Sequence, residues 1–142
     1  MKINYAKLPT EQFNPASLAL DRMSVGAVLR LMNREDEKIP RAVKREIPRI
    51  EKAVQLITQS LEKGGKIFFV GAGTSGRLGV LESAELPPTF GTPPSWAQAL
   101  MAGGRKAVFH SQEGAEDRGK EAQREIKRKT RSRDVVIGIA EG

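Results

Sequence analysis

Gly71, Gly73 and Gly76 form a G-x-G-x-x-G pattern directly after the apolar run Lys66–Val70, in the stretch "KIFFVGAGTSGRLG". A glycine-rich turn from strand into helix presents backbone N–H groups and the positive end of the helix to an anion. Dinucleotide sites and sugar-phosphate sites share that mechanism, so the glycines alone do not choose between them. The surroundings do. A dinucleotide site needs a carboxylate about 20 positions on, at the end of the second strand, for the ribose hydroxyls. Here the second strand ends in Met101-Ala102-Gly103-Gly104. No Lys-Ser/Thr pair closes the loop as a Walker site requires, whereas Thr74 and Ser75 add hydroxyl donors suited to a terminal phosphate. The loop is expected to hold a small phosphate ester; the plainer alternative is a tight turn and nothing more.

The carboxylates form two groups. Glu82 and Glu85 lie three apart on the helix after the loop, and Glu85 precedes Leu86-Pro87-Pro88. A carboxylate on a last helical turn opposes the helix dipole, a local conflict of the kind functional residues produce. Glu113, Glu116 and Asp117 lie in "QEGAED", where pattern alone reads Glu116 as an acid at a helix N-terminus. His110 is the single histidine and has no neighbour forming a dyad, and Trp96 reads as a core or interface residue. With no cysteine and one histidine, no metal site is expected.

The elements that position these residues follow from periodicity. Ser24 suits an N-cap before Val25, Val28, Leu29 and Met32, with a helix ending near "NRED". Ile39, Val43, Ile47, Ile50, Val54, Ile57 and Leu61 then mark one face of a second helix, closed by Gly64 and Gly65. Pro40 suits its first turn, and Pro48 is expected to kink or split it. That stripe reads as packing against the domain or a neighbouring subunit. "KIFFV", the segment near Ala97–Ala102 and "DVVIGIA" read as buried parallel strands. Helices are expected over residues 75–85 and 115–129. "LPPTFGTPP", with four prolines in nine residues, reads as an ordered loop. The fold class is α/β: an N-terminal helical region over 1–63, then a doubly wound parallel sheet with helices on both faces over 64–142. That sheet is cut after about three strands, so the chain reads as the front part of something larger. A free sheet edge predicts self-association.

A chain of 142 residues without cysteine, an apolar leader or an apolar run near the ~20 residues of a membrane helix suggests a soluble cytoplasmic protein. The net charge of +7 gathers in "REIKRKTRSR" (Arg124–Arg133). No aromatic residue interleaves that run to stack on bases, so a solvated helix face is preferred to a nucleic-acid surface.

"GAGTSGRLGVLESAELPPTFGTPP", "AGG", "QEGAEDRG" and "DVVIGIA" together resemble the N-acetylmuramic acid 6-phosphate etherases and, more distantly, the glucokinase regulatory protein. The N-terminal "LPTEQFNPASLALDRMSVGAVLRLMNREDEKIPRAV" is similar to the same family's opening, so the resemblance covers almost the whole chain. It implies a sugar isomerase (SIS) fold that binds phosphosugars and usually dimerises. It further implies cleavage of the D-lactyl ether of N-acetylmuramic acid 6-phosphate, without metal or redox cofactor, during cell-wall amino sugar recycling. By motif, Glu85 matches the acid that protonates departing lactate, and Glu116 the second acid/base residue. Gly71, Gly73, Thr74, Ser75 and Gly76 match the phosphate loop. Burial of Glu85 beside "LPPTF" is expected to keep it protonated. The family commonly has Asp-Ala-Ser-Glu-Cys at Glu82–Leu86, and it follows the third strand with Ala-Ser-Gly-Arg-Thr-Pro where Glu141-Gly142 stand here. The alternative is a non-catalytic phosphosugar-binding or regulatory module.

Overall fold

The computed structural model describes residues 12–140. The chain divides into two compact units, one up to Lys52 and one from Ala53 onward. Most of the expected irregular lead-in lies outside the described residues.

In the first unit, short 3-10 turns at Pro15–Ser17 and Leu20–Arg22 precede α1, Val25–Asp36. Ser24 caps α1 as expected, its Oγ accepting from the Ala27 N–H. Lys38 donates to Glu35 and holds that carboxyl below the ordinary glutamate range. The folded-state pKa is depressed, so the pair's contribution is present above the unfolded pKa and lost as pH falls through the folded one.

Helix α2, Ile39–Glu62, crosses the division between the units as one element. Pro48 lies inside it and does not split it; a proline there supplies no N–H to the ladder. The stop is the double glycine: Gly64 takes φ 70°, and the Gly65 N–H donates to Ser60 O at 2.8 Å. A Cβ on Gly65 would sit 2.3 Å from Arg133 O, so glycine permits the helix end to meet the entry to the last strand.

In the second unit, β1 (Ile67–Gly71), β2 (Ala97–Met101) and β3 (Val135–Gly138) form one all-parallel sheet in the order β2-β1-β3. Phe68, on the central strand β1, is 1% exposed. Asp134 fixes the lower edge: its carboxylate accepts from the N–H groups of Lys66 and Arg131, at 2.9 and 2.8 Å. β2 and β3 are the sheet's edge strands.

Three expectations are corrected. Helix α3 runs Gly73–Phe90, through Pro87 and Pro88, so "LPPTF" is helix and not loop. A proline costs a helix its own N–H and crowds the carbonyl four residues back, and near a C-terminus few bonds remain to be lost. The stop comes at Gly91, left-handed at φ 65°, whose N–H donates to Pro87 O. A six-residue helix, α4 (Gly104–Phe109), follows β2 and was not expected. The charged helix α5 is Gly119–Lys129, shorter than residues 115–129.

Candidate functional site

The site is built where β1 and β2 end. Ala72, extended, precedes α3, and the first helical N–H to find an acceptor in the helix is that of Gly76, on Ala72 O at 3.0 Å. The N–H groups of Gly73, Thr74 and Ser75 belong to the turn that has no intrahelical acceptor. No side chain caps them. This is the chemistry of an anion cradle.

Each motif glycine has its own reason. A Cβ on Gly71 would lie 2.8 Å from Gly76 N, and one on Gly76 would lie 2.7 Å from Gly71 O. The two residues touch backbone to backbone, so the strand can turn into the helix without a gap. Gly73 takes φ 55°, where L side chains are strained. Gly79 completes the set: a Cβ there would be 2.7 Å from Phe69 Cβ, so glycine seats α3 on the sheet. The continued glycine spacing was the signal for Gly79.

Arg77, next to the loop, is engaged by the backbone of α4. Its guanidinium donates to Val108 O and Ala107 O, both at 2.9 Å, and so pins the end of α4 to α3. Arg77→Lys keeps the charge but loses the planar fork, and should cost about 1–2 kcal/mol in chemical denaturation.

The second wall comes from the segment after β2. Ala102 N donates to Gly71 O at 3.0 Å, tying the two strand ends together. Gly103 then turns the chain at φ 81° into α4. After His110, which is exposed, the loop returns, with Ala115 buried beneath it and Glu116 exposed on it. Glu116 lines a cavity of about 310 Å³ that also takes in Gly71, Ala72, Gly103 and Glu125. It lines a second cavity as well, about 140 Å³, shared with Gly73, Arg77 and Ser111. The carboxylate therefore stands beside both the cradle and the carboxyl ends of β1 and β2, where open α/β sheets bind ligands. It lies three residues before the helix and caps nothing, because the first-turn acid of α5 is Glu121. Glu125, half-buried on the far wall, is held by Lys129 at 3.0 Å.

The other expected site residues fall differently. Thr74 is exposed and Ser75 half-buried on the first turn of α3, and neither lines these two cavities. Glu85 is not brought to Glu116. It lies twelve residues beyond Gly73 on the same helix, about 18 Å along the axis at 1.5 Å per residue. The expected burial of Glu85 beside "LPPTF" is not found; Glu82 and Glu85 are both exposed. Nor is Glu85 on the last turn, since α3 continues to Phe90. Trp96 is more than a third exposed, so it is not a core residue of this chain. Among the described residues, no group of three or more His, Cys, Asp or Glu is placed to hold a metal ion.

The comparisons with known proteins agree with this architecture. Over 134 residues, 94% of the chain, it is 52% identical to an N-acetylmuramic acid 6-phosphate etherase of Salinibacter ruber. It is 45% identical over 140 residues to one of Symbiobacterium thermophilum, and 45% over 141 residues to one of Vibrio vulnificus, each match covering 99% of the chain. The chain spans less than half the length of these relatives, 43%, 46% and 47% respectively. The family described as the glucokinase regulatory protein N-terminal SIS domain matches residues 49–142, which hold the whole sheet, the glycine loop and Glu116. The chain belongs to that SIS family, and its near relatives within it are N-acetylmuramic acid 6-phosphate etherases.

Proposed function

We propose that this chain supplies the phosphate cradle and a proton-transfer carboxylate of an etherase acting on N-acetylmuramic acid 6-phosphate. The observation that carries the reading is Glu116, set beside a cavity that begins at the glycine turn. The sugar's phosphate rests on the N–H groups of Gly73, Thr74 and Ser75, with the two hydroxyls adding donors. Gly71 and Gly76 hold the turn that aims them. Glu116 takes the proton from C2, alpha to the open-chain aldehyde. The C2 electron pair forms the C2–C3 double bond as the C3–O bond breaks. A protonated carboxyl delivers its proton to the departing lactate oxygen, and water then adds across the double bond. The products are N-acetylglucosamine 6-phosphate and D-lactate.

The family resemblance assigns the proton on lactate to Glu85. A hexose whose phosphate rests on the first turn of α3 cannot touch a carboxylate about 18 Å up the same helix. Glu85 therefore serves the site of a second copy, and the working unit is a dimer. A second reading follows from the same distance: a single chain binds the phosphosugar without cleaving it, as a regulatory module would.

Proton NMR of the chain with N-acetylmuramic acid 6-phosphate in deuterated water tests both. Lactate release with loss of the C2 proton signal is the result expected of the etherase. Shifts of the sugar resonances with neither reaction favour the binding module. Unperturbed sugar resonances overturn both readings.

A further inference from the structure

We propose that Arg118 is the specificity residue of this site: its guanidinium takes the lactyl carboxylate and so separates the ether from the sugar phosphate it becomes. The inference rests on the etherase reading and adds the group that recognises the leaving half of the substrate. That substrate has two anionic ends, a phosphate on C6 and a carboxylate on the lactyl group at C3. The glycine turn takes the first. The second has to enter a cavity whose walls already carry Glu116, Glu121 and Glu125. A further carboxylate among these is disfavoured unless a counter-charge meets it. Among the described residues, Arg118 is the one cation lining that cavity.

Arg118 is free to serve. It is exposed, and its side chain has no hydrogen-bond or ion-pair partner among the described residues. Neighbouring cations are committed elsewhere, Arg77 to two carbonyls of α4 and Lys129 to Glu125. The backbone at Arg118 is fixed: its N–H donates to Ala115 O at 3.3 Å, and its carbonyl accepts from the Glu121 N–H at 2.9 Å. The order of the groups also fits. Gly73 lines the smaller cavity, Arg118 the larger and Glu116 both, so the carboxylate stands between cradle and guanidinium. The substrate runs the same way, from phosphate through C3 and C2 to the lactyl carboxylate. Arg118 lies two residues beyond Glu116, a step of at most about 7 Å. The lactyl carboxyl carbon is four bonds from C2, whose proton Glu116 takes, so one short segment reaches both. A guanidinium meets a carboxylate with two parallel N–H···O bonds, a match that lysine lacks.

N-acetylglucosamine 6-phosphate keeps the phosphate and lacks the lactyl group, which makes it the discriminating probe. Both sugars are titrated against the parent chain, Arg118→Gln, Arg118→Lys and a charge-matched control, Lys127→Gln. Lys127 is an exposed cation of α5 that does not line the cavity. Arg118→Gln should weaken N-acetylmuramic acid 6-phosphate roughly tenfold and leave N-acetylglucosamine 6-phosphate unchanged. For lactate release, it should raise KM with kcat little altered, because the carboxylate is held alike before and during elimination. Arg118→Lys should recover part of the loss, and Lys127→Gln should change neither affinity. Equal loss for both sugars overturns the proposal, since Arg118 would then serve the phosphate or the fold. No loss for either overturns it too, as does the same loss from Lys127→Gln, which would mean that net charge alone is felt. The two readings fail separately. Discrimination through Arg118 without lactate release removes the etherase and keeps the residue. Lactate release with KM unchanged in Arg118→Gln keeps the etherase and removes the residue. A parent chain that binds neither sugar overturns both.

Discussion

Replacing Gly76 with alanine should lower the unfolding free energy by about 3 kcal/mol and the melting temperature by about 10 °C. The added methyl would lie 2.7 Å from Gly71 O and 3.0 Å from Met101 Cγ. The methionine is flexible and can give way. The carbonyl cannot, because Gly71 O also accepts the Ala102 N–H that ties β1 to β2. Relief requires α3 to back away from the strand, which opens the cradle and loosens the seat at Gly79 in one movement. Gly91→Ala is the matched control. Gly91, unlike Gly76, is left-handed, at φ 65°, and nothing lies within 4 Å of its missing Cβ. Its cost is conformational alone, about 1 kcal/mol, and Gly91→Asn should recover part of it. Denaturant titration of the three variants separates the two causes. Equal losses at Gly76 and Gly91 would mean that the close approach of loop and strand is not what glycine supplies. Phosphate-ester affinity should fall with Gly76→Ala and be untouched by Gly91→Ala.

The parts that could be read ahead are those in which one residue property sets the local structure. Buried parallel strands announce themselves as short apolar runs, and "KIFFV" and "DVVIGIA" became β1 and β3. The turn between β1 and α3 needs glycine at fixed positions, so its spacing survives as text. Ser24 and Gly64–Gly65 marked helix ends for the same reason. The proline-rich stretch failed because its residues pull two ways. Pro87 and Pro88 lack donors, yet their fixed φ suits a helix, and Leu86 and Pro87 are half-buried in its last turns. Composition shows the first fact only. Helix α4 was illegible because six residues cannot display a helical period. Glu116 was misread by pattern, since an acid near a helix start usually caps it, and only the fold shows that it caps nothing and faces the cavities. The placement of Glu85 was hidden for a different reason: motif order along a chain does not say whether two residues meet within one copy.

Glu85→Gln and Glu116→Gln should each lower lactate release about 10²–10⁴-fold, the range for removing a proton-transfer group. The C2 proton divides them. Glu116→Gln loses exchange at C2 together with lactate, because no base begins the elimination. Glu85→Gln keeps some exchange while lactate stays attached, because the leaving oxygen lacks its proton. Neither substitution should move stability much, since both side chains are exposed. The larger effect comes on mixing. With Glu85 of one copy serving the Glu116 site of another, a mixed dimer of the two variants has one site with both substitutions and one with neither. Random reassociation in equal amounts puts half the chains in such dimers, and about a quarter of the parent activity returns from two nearly inactive preparations. Carboxylates acting within one copy give no recovery at any ratio, because every site then carries one substitution. Flat activity across the mixing series would place both proton transfers in a single chain, and α3 would then have to bend or unwind beyond Gly79 to bring Glu85 back to the cradle.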